Sequence, residues 1–487
     1  MTGLRRDHDA LVRARSTVDS EEEGALSSLR RMLGAPGFNP GSPVQVKNLL
    51  KLLGCGDIDS TNEKDLAKAK LRHPLNGRII DKILTIRGLR KLATTYLRTD
   101  ADADKNGKGG AKEFHGRILY NLNPHGTDTG RLASREHHFW CGLQIQNVPR
   151  GEPGEPSHTK TTICADDGFY LGEADLEQAE SRDTAYISGD TNLIAAVSGT
   201  RDFHSHNAST FFGRQYESIY DDSTAKTKDK PLRDLSKRTN HGANYNMGPD
   251  VMVDTMGLDK VWMAKKLLRL PYISAGAVCE HLLTVFHLTY PKLRGPIAIR
   301  NDQVRIVLKL DKCEFKLYSP GTYYASVAYE VTTTRRLASR AYHHTETNRL
   351  IFGDGEQAIH AYIESGDWTR YCFGKPDSSK PDLNALVAHC PQSLNARTLN
   401  EAWLRVFYRV AINPEHRENF RLHAQIHDSI LGSYRIGHAY LMTMVKECME
   451  IPVTVRDISG TYRTFTVPAA LKIGKAGKPA KYWSETE

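Results

Sequence analysis

Three short stretches combine side chains that could do chemistry. The first is Asp175-Leu176-Glu177-Gln178-Ala179-Glu180-Ser181-Arg182. The run from Tyr170 reads as a buried strand that delivers Asp175 to its C-terminal end, and a helix over 177–189 then presents Glu180 and Arg182. Alone, an acidic residue after a strand is equally a helix cap. The second is Arg233, Lys237, His241 and Tyr245, which recur every four residues after a helix start at Asp229–Pro231. Each step of four drifts about 40°, so all four lie within roughly 120° of one another. Two cations one turn apart repel by a few tenths of a kcal/mol. A triphosphate turns that repulsion into attraction; a solvated basic face is the plain alternative. The third is Ala424-Gln425-Ile426-His427-Asp428-Ser429-Ile430-Leu431, which reads as a hairpin with Asp428 at its turn. A bare His-Asp in a turn is otherwise structural. Together the three suggest more. Two carboxylates at the tips of adjacent strands can hold a pair of Mg²⁺ ions, which favour one or two carboxylates plus substrate phosphates. Such ions, about 4 Å apart, activate a 3′-hydroxyl and stabilise leaving pyrophosphate, while a basic helix face clamps the triphosphate. Nucleotidyl transfer requires that set.

The elements that position these groups follow from pattern and punctuation. The 487 residues suggest about three domain-sized units, and 39% hydrophobic with 25% charged residues excludes wholesale disorder. No apolar run approaches the ~20 residues of a membrane span, and the start MTGLRRDHDALVRARS has no signal-like apolar core. The expected location is cytoplasmic, with no membrane partner. A net charge of +9 permits a polyanionic partner. The eight cysteines form no C-x2-C pair, so reduced thiols are expected; His137-His138 and His343-His344 lack a third ligand. Residues 1–35 read as helical. Helices are expected at Gln45–Leu53, Glu63–Lys70 and Arg78–Tyr96, short strands over 115–175, and helices over most of 206–295. Strands follow at 303–331, a helix from Asn384 to Val410, strand-turn-strand at 420–434, and strands over 451–487. The interleaving is α+β, not a regular βαβ series. Residues 99–114 read as a solvated loop. Asp102, Asp104, Asn106, Gly107 and Glu113 match a calcium-loop spacing, yet Gly109 occupies a usually apolar position and a strand, not a helix, follows Glu113.

In order and spacing, these stretches resemble the family A (polymerase I-like) DNA polymerases. DLEQAESR (175–182) is similar to that family's DYSQIELR, R-x3-K-x3-H-G-x2-Y (233–245) to its R-x3-K-x3-F-G-x2-Y-G, and QIHDS (425–429) to its QVHDE. FNPGSPVQVKNLL (38–50) and RGLRKLATTY (87–96) resemble its thumb segments. TGRLAS (129–134) with QIQNVPR (144–150), DFHSHNASTFFG (202–213) and the ending LKIGKAGKPAKYW follow in the family's order. The resemblance implies a right-hand polymerase fold, with an antiparallel palm sheet and mainly helical thumb and fingers. It places a helical N-terminal extension at 1–35, thumb at 36–128 and the first part of the palm at 129–205. Fingers at 206–383 would carry an insertion near 345–383, and the second part of the palm with the C-terminal tail would occupy 384–487.

It also implies roles. Asp175, the Leu176 backbone carbonyl and Asp428 would hold two Mg²⁺ ions, with Mn²⁺ able to substitute; Asp175, Asp428 and Lys237 would be catalytic. Arg233, Lys237 and His204 would contact the dNTP triphosphate, Tyr245 would stack near the templating base, and Glu180 would close over the sugar, with Gln178 and His241 beside the nucleotide. Arg131, Arg182, Gln392 and His427 would serve the primer-template DNA. A carboxylate at Glu180 disfavours a 2′-hydroxyl, so DNA synthesis is expected. A single-subunit RNA polymerase and an inactive polymerase-like replisome component are the alternatives.

The departures are informative. His241 replaces a Phe, Ser429 a Glu and Asn246 a Gly, while Ala388-His389-Cys390-Pro391 matches the family poorly ahead of Gln392. Only about 35 residues precede the thumb-like match, and the D-x-E spacing at Asp19–Glu21 reads as a helix face, so no 3′–5′ exonuclease is expected in this polypeptide. A separate exonuclease, helicase/primase or processivity factor remains compatible with it. The compact, divergent form fits a phage or mobile replicon.

Overall fold

The computed structural model describes residues 3–486, except 57, 104–109, 125, 128, 137–141, 152–155, 225, 246, 272–273, 458–460 and 476–477. From 294 to 382 it describes strand backbones alone, and the side chains of 71, 136, 383–387, 389–390, 456 and 475 also lie outside the description. Asn246, His137-His138, the side chains of His343-His344, and Asp104, Asn106, Gly107 and Gly109 therefore fall outside the described residues, as does most of 345–383.

The N-terminal half begins with β1 (Leu4–Arg6) and four helices, α1 (His8–Leu33), α2 (Pro43–Leu52), α3 (Glu63–Arg72) and α4 (Gly77–Thr95). Local chemistry starts and stops them. Asp7, Ser42 and Asn62 accept from backbone N–H groups in the first turns of α1, α2 and α3, and Gly34 closes α1 in the left-handed region. Leu29, Val46, Leu50, Leu66, Ile80, Ile83 and Ile86 form one core. Leu11 and Val18 near the start of α1 meet Ala93 and Leu97 at the end of α4, so the two helices run antiparallel. Residues 8–33 thus share cores with the three helices that follow.

β1 was not legible in the sequence. It is the middle strand of a three-stranded antiparallel sheet, between β2 (Arg117–Ile118) and β3 (Ile163–Cys164). Three residues, two of them arginines, carry no periodic signal. Arg6 is nonetheless only 4% exposed and donates to the Tyr96 carbonyl. In the loop with calcium-like spacing, Asp102 accepts from Arg15 at 2.8 Å and from the Thr99 N–H, while Glu113 faces His8. The chain then turns at Phe114–Arg117 into β2, with no exiting helix. Asp102 is thus engaged elsewhere, while Glu113 Oε2 is buried without a hydrogen-bond partner among the described residues.

The central sheet is built from β4 (Phe169–Leu176), β5 (Phe420–Ile426), β6 (Ser429–Arg435) and β7 (Ala469–Lys472), in the order β5-β6-β4-β7 with every pair antiparallel. Around it lie α5 (Ala179–Ser188), α6 (Phe203–Phe212), α7 (Lys230–Asn244), α8 (Ala275–Thr289), α9 (Leu383–Val406) and α10 (Tyr440–Met449). Alternation splits β4 between two cores. Leu171 packs with Ile163, Ala424, Ile426 and Trp483, while Ala174 and Leu176 join the larger helical core. Gly172 makes room for α10, because a Cβ would sit 2.8 Å from the Met442 side chain and force it to shift. Antiparallel strands also occur at Val304–Leu310 and Cys313–Ser319, inside the expected 303–331 region. The fold is α+β, mainly helical around antiparallel sheets.

Candidate active site

Register brings the two aspartates together. Ser429 pairs with Asp175 across β6 and β4, and Ser429 also pairs with Ile426, so His427 and Asp428 form a two-residue turn at the same edge. The Leu176 N–H donates to the Asp428 carbonyl at 3.0 Å. His427 and Gln178 both adopt left-handed backbone (φ 52° and 56°), sparsely populated for non-glycine residues. Both flank the carboxylates, where such strain often concentrates. Asp428 accepts from Asn395 Nδ2 at 2.9 Å and lies 3.7 Å from Arg131. Burial pushes the Asp428 carboxyl up; Arg131 and Asn395 oppose this, and Glu180 and Asp175 add to it. Asp175 accepts from Lys472 Nζ at 2.8 Å. The Ser429 hydroxyl turns back to the Ile426 carbonyl at 2.9 Å.

A cleft of about 860 Å³ opens over these tips. It is lined by Asp175, Leu176, Gln178, Glu180, Arg182, His427 and Asp428 from the strand ends and α5, and by His204, Arg233, Lys237 and His241 from α6 and α7. Arg131 closes one side. Twelve of the fourteen residues picked out in the sequence therefore meet around one space. Tyr245 reaches the site by donating to Glu180 Oε2. Gln392 is half-buried on α9 and does not line the cleft; Asn395, one turn on, makes the contact to Asp428. The irregular sequence ahead of Gln392, including Pro391 inside the helix, obscures the register.

Glu180 is held from two sides, by Arg131 Nη2 and by the Tyr245 hydroxyl. For Arg131, burial is outweighed by Glu180 and Asp428, which raise its pKa. Arg182 donates from Nε to the Glu177 carbonyl at 3.1 Å. Behind them lies Asp183, 1% exposed, with Oδ2 lacking a hydrogen-bond partner. Burial, then Glu180 and Asp428, push its carboxyl well above the ordinary range, which favours its neutral form in the fold. The unfolded chain loses that proton near pH 4, so the stability tied to the bound proton falls as pH rises above that point. Asp183→Asn is expected to raise the melting temperature more at pH 8 than at pH 5; equal shifts at both pH values would contradict a neutral Asp183.

The opposite wall is basic but not free. Arg233 forms a two-point pair with Asp202, at 2.9 and 2.8 Å, and Asp202 also caps α6 through the Ser205 N–H. Burial raises the Asp202 carboxyl, but Arg233 and Ser205 more than offset it. The two-cation face read from the sequence thus contains one paired cation. Lys237 makes no ion pair among the described residues, and burial, Arg233 and Arg150 lower its pKa. A buried polar chain orients His204. Tyr290 donates to Asn207, Asn207 Nδ2 donates to Asn240 Oδ1 at 2.9 Å, and Asn240 Nδ2 lies 3.1 Å from His204 Nδ1. Nδ1 is then the acceptor and Nε2 carries the proton. Burial, then Arg233, lowers the His204 pKa to about 3, so the ring is a neutral donor. His241 stands edge-on to Tyr245, ring centroids 5.5 Å apart.

Sequence reasoning missed Asp202, Asn207, Asn240, Arg150, Asn395 and Lys472. Asp202, Asn207, Arg150 and Lys472 lie within quoted motifs, and Asp202 could have been flagged as an N-cap; Asn240 and Asn395 carry no local signal. Among the described residues, no group of three or more His, Cys, Asp or Glu side chains forms a metal cage by itself. Two carboxylates at one edge of a cleft suit a hard cation that takes its remaining ligands from water and substrate oxygens. The described cysteines Cys55, Cys164, Cys279 and Cys448 are buried and unbridged. No described helix is long and apolar enough to cross a membrane.

Known proteins resemble the chain in the same sense. The model of DNA polymerase family A matches residues 8–269, more than half of the chain. A thermostable DNA polymerase I of Thermus aquaticus is 29% identical over 305 residues, 60% of this chain and 31% of that protein. A DNA polymerase of Escherichia phage T5 is 28% identical over 289 residues, 55% of this chain and 30% of that protein. The chain thus spans about a third of the length of these relatives. The polymerase domain of Pol1 from M. smegmatis, solved in complex with DNA primer-template and dNTP, superposes with a TM-score of 0.62 at 17% identity, covering 99% of this chain and 68% of that one.

Proposed function

Because the chain belongs to DNA polymerase family A, we propose that it is a template-directed DNA polymerase that adds dNTPs to the 3′ end of a primer. The observation that carries this reading is the opposition, across one cleft, of the Asp175 and Asp428 strand tips to the His204, Arg233 and Lys237 wall. Asp175, Asp428 and the Leu176 carbonyl would hold two Mg²⁺ ions, or Mn²⁺ in their place. When bound, the ions supply Lewis-acid activation of the primer hydroxyl and charge stabilisation on the leaving pyrophosphate. The remaining work belongs to side chains. Lys237 offers a compact charge to the triphosphate, and Asp202 orients Arg233 beside it. His204 donates from Nε2 without adding charge. Glu180, pinned by Arg131 and Tyr245, cannot swing away from a 2′-hydroxyl. Gln178 would lie beside the nucleotide, Tyr245 near the templating base, and Arg131, Arg182, Gln392 and His427 along the primer-template.

The domain roles follow: helices α1–α4 as thumb, the β5-β6-β4-β7 sheet as palm, and the α6–α8 region as fingers. Asp19 of the D-x-E spacing lies on α1 and pairs with Arg15. We include in the proposal that this polypeptide does not proofread, and that a separate exonuclease, a helicase/primase or a processivity factor assists it in a phage or mobile replicon within the host cytoplasm. The test is primer extension with Mg²⁺ and either dNTPs or rNTPs. Extension with dNTPs supports the reading. Preference for rNTPs would transfer it to RNA synthesis, and no extension with either would leave a DNA-binding component.

His241 sets a smaller expectation. It lines the cleft where the family has Phe, on the side expected for the 3′ position of the sugar. His241→Phe is expected to change the ratio of dideoxy- to deoxynucleotide incorporation several-fold, measured by competitive chain termination; identical ratios would sink the idea.

A further inference from the structure

Asp175 has an unusual pair of neighbours. On β6 its cross-strand partner is Ser429, whose hydroxyl is spent on the Ile426 carbonyl. On β7, Lys472 stands directly opposite Glu173, two residues before Asp175 on the same face of β4. A long side chain can reach the diagonal position, and Lys472 does: its Nζ lies 2.8 Å from Asp175 Oδ2. Glu173 is already bonded to the Trp483 indole N–H at 3.0 Å, which leaves the lysine to the aspartate. Lys472 is not among the residues lining the cleft, whereas Asp175 is. The ammonium thus grips the carboxylate from behind the site.

We propose that Lys472 is a positioning residue that fixes the Asp175 carboxylate by one oxygen and, through its charge, weakens the intrinsic affinity of the strand-tip site for divalent metal. The inference rests on the polymerase reading of that site. A cation behind one of only two carboxylate ligands removes part of the charge that attracts a metal ion. Binding then depends more on the metal–triphosphate complex than on the protein alone.

The test is Mn²⁺ binding to the full chain without DNA or nucleotide, read from the electron paramagnetic resonance signal of free Mn²⁺. Lys472→Gln keeps a hydrogen-bond donor and removes the charge; it is expected to bind Mn²⁺ about ten-fold more tightly, the order of effect one nearby charge has after solvent screening. Lys472→Arg keeps the charge and is expected to stay within about three-fold of the parent. Lys472→Met supplies a second neutral variant should glutamine disturb the sheet, with thermal melts confirming that both fold. A purely structural lysine would change the melts and leave Mn²⁺ affinity alone. Unchanged or weaker binding in the neutral variants, with binding still lost in Asp175→Ala, overturns the role of Lys472 only. Binding that does not depend on Asp175 overturns the metal-site reading as well.

Discussion

Asp428→Ala is expected to lower the rate of primer extension by about 10³-fold or more, equivalent to roughly 4 kcal/mol of transition-state stabilisation. Three features predict so large an effect. Asp428 supplies one of the two aspartates that meet at the strand tips, and the adjacent Ser429 offers no carboxylate to replace it. Its turn is also the hydrogen-bonded neighbour of Leu176, so both proposed protein ligands besides Asp175 belong to one local structure. Finally, Arg131 faces Asp428 and Glu180 together, and losing one anion leaves the guanidinium biased toward the other. Asp428→Asn, with the same shape, is expected to fail nearly as badly, because charge and not packing is required. Ser429→Ala should extend primers within a few-fold of the parent. Steady extension by purified Asp428→Ala protein would remove the basis of the proposed mechanism.

Glu180→Ala carries the second large effect. It is expected to reduce discrimination between dNTPs and rNTPs by about 10²-fold, or roughly 2.7 kcal/mol in the ratio of kcat/KM values. The carboxylate is held between the Arg131 guanidinium and the Tyr245 hydroxyl, so it presents a fixed, already-engaged edge to the sugar. A 2′-hydroxyl approaching that edge loses water without gaining a free acceptor. Truncation opens the space. It also frees Arg131 and leaves the buried Tyr245 hydroxyl unpaired, so activity with dNTPs should fall as well. Glu180→Gln preserves volume and is expected to retain more discrimination than alanine. A dNTP/rNTP ratio that does not move in Glu180→Ala would place sugar selection elsewhere, with His241 the next candidate.

Much of this was readable in one dimension because the signals are local. Four-residue recurrence placed Arg233, Lys237 and His241 on one helix, Asp229–Pro231 marked its start, and apolar runs marked the strands leading to Asp175 and Asp428. The α+β class, the shared cleft and the family followed from their order. What the chain alone did not reveal was who holds whom. Asp202 pairs with Arg233 across 31 residues, Arg131 with Glu180 across 49, and Lys472 with Asp175 across 297. Asn395, not Gln392, meets Asp428, and Tyr290, Asn207 and Asn240 join in space into one chain that ends at His204. Helical period and capping are set by neighbours a few bonds away, so the sequence determined them by itself. Ion pairs and proton positions depend on which distant strands and helices become adjacent and on how much water their packing excludes, so only the tertiary structure decided them.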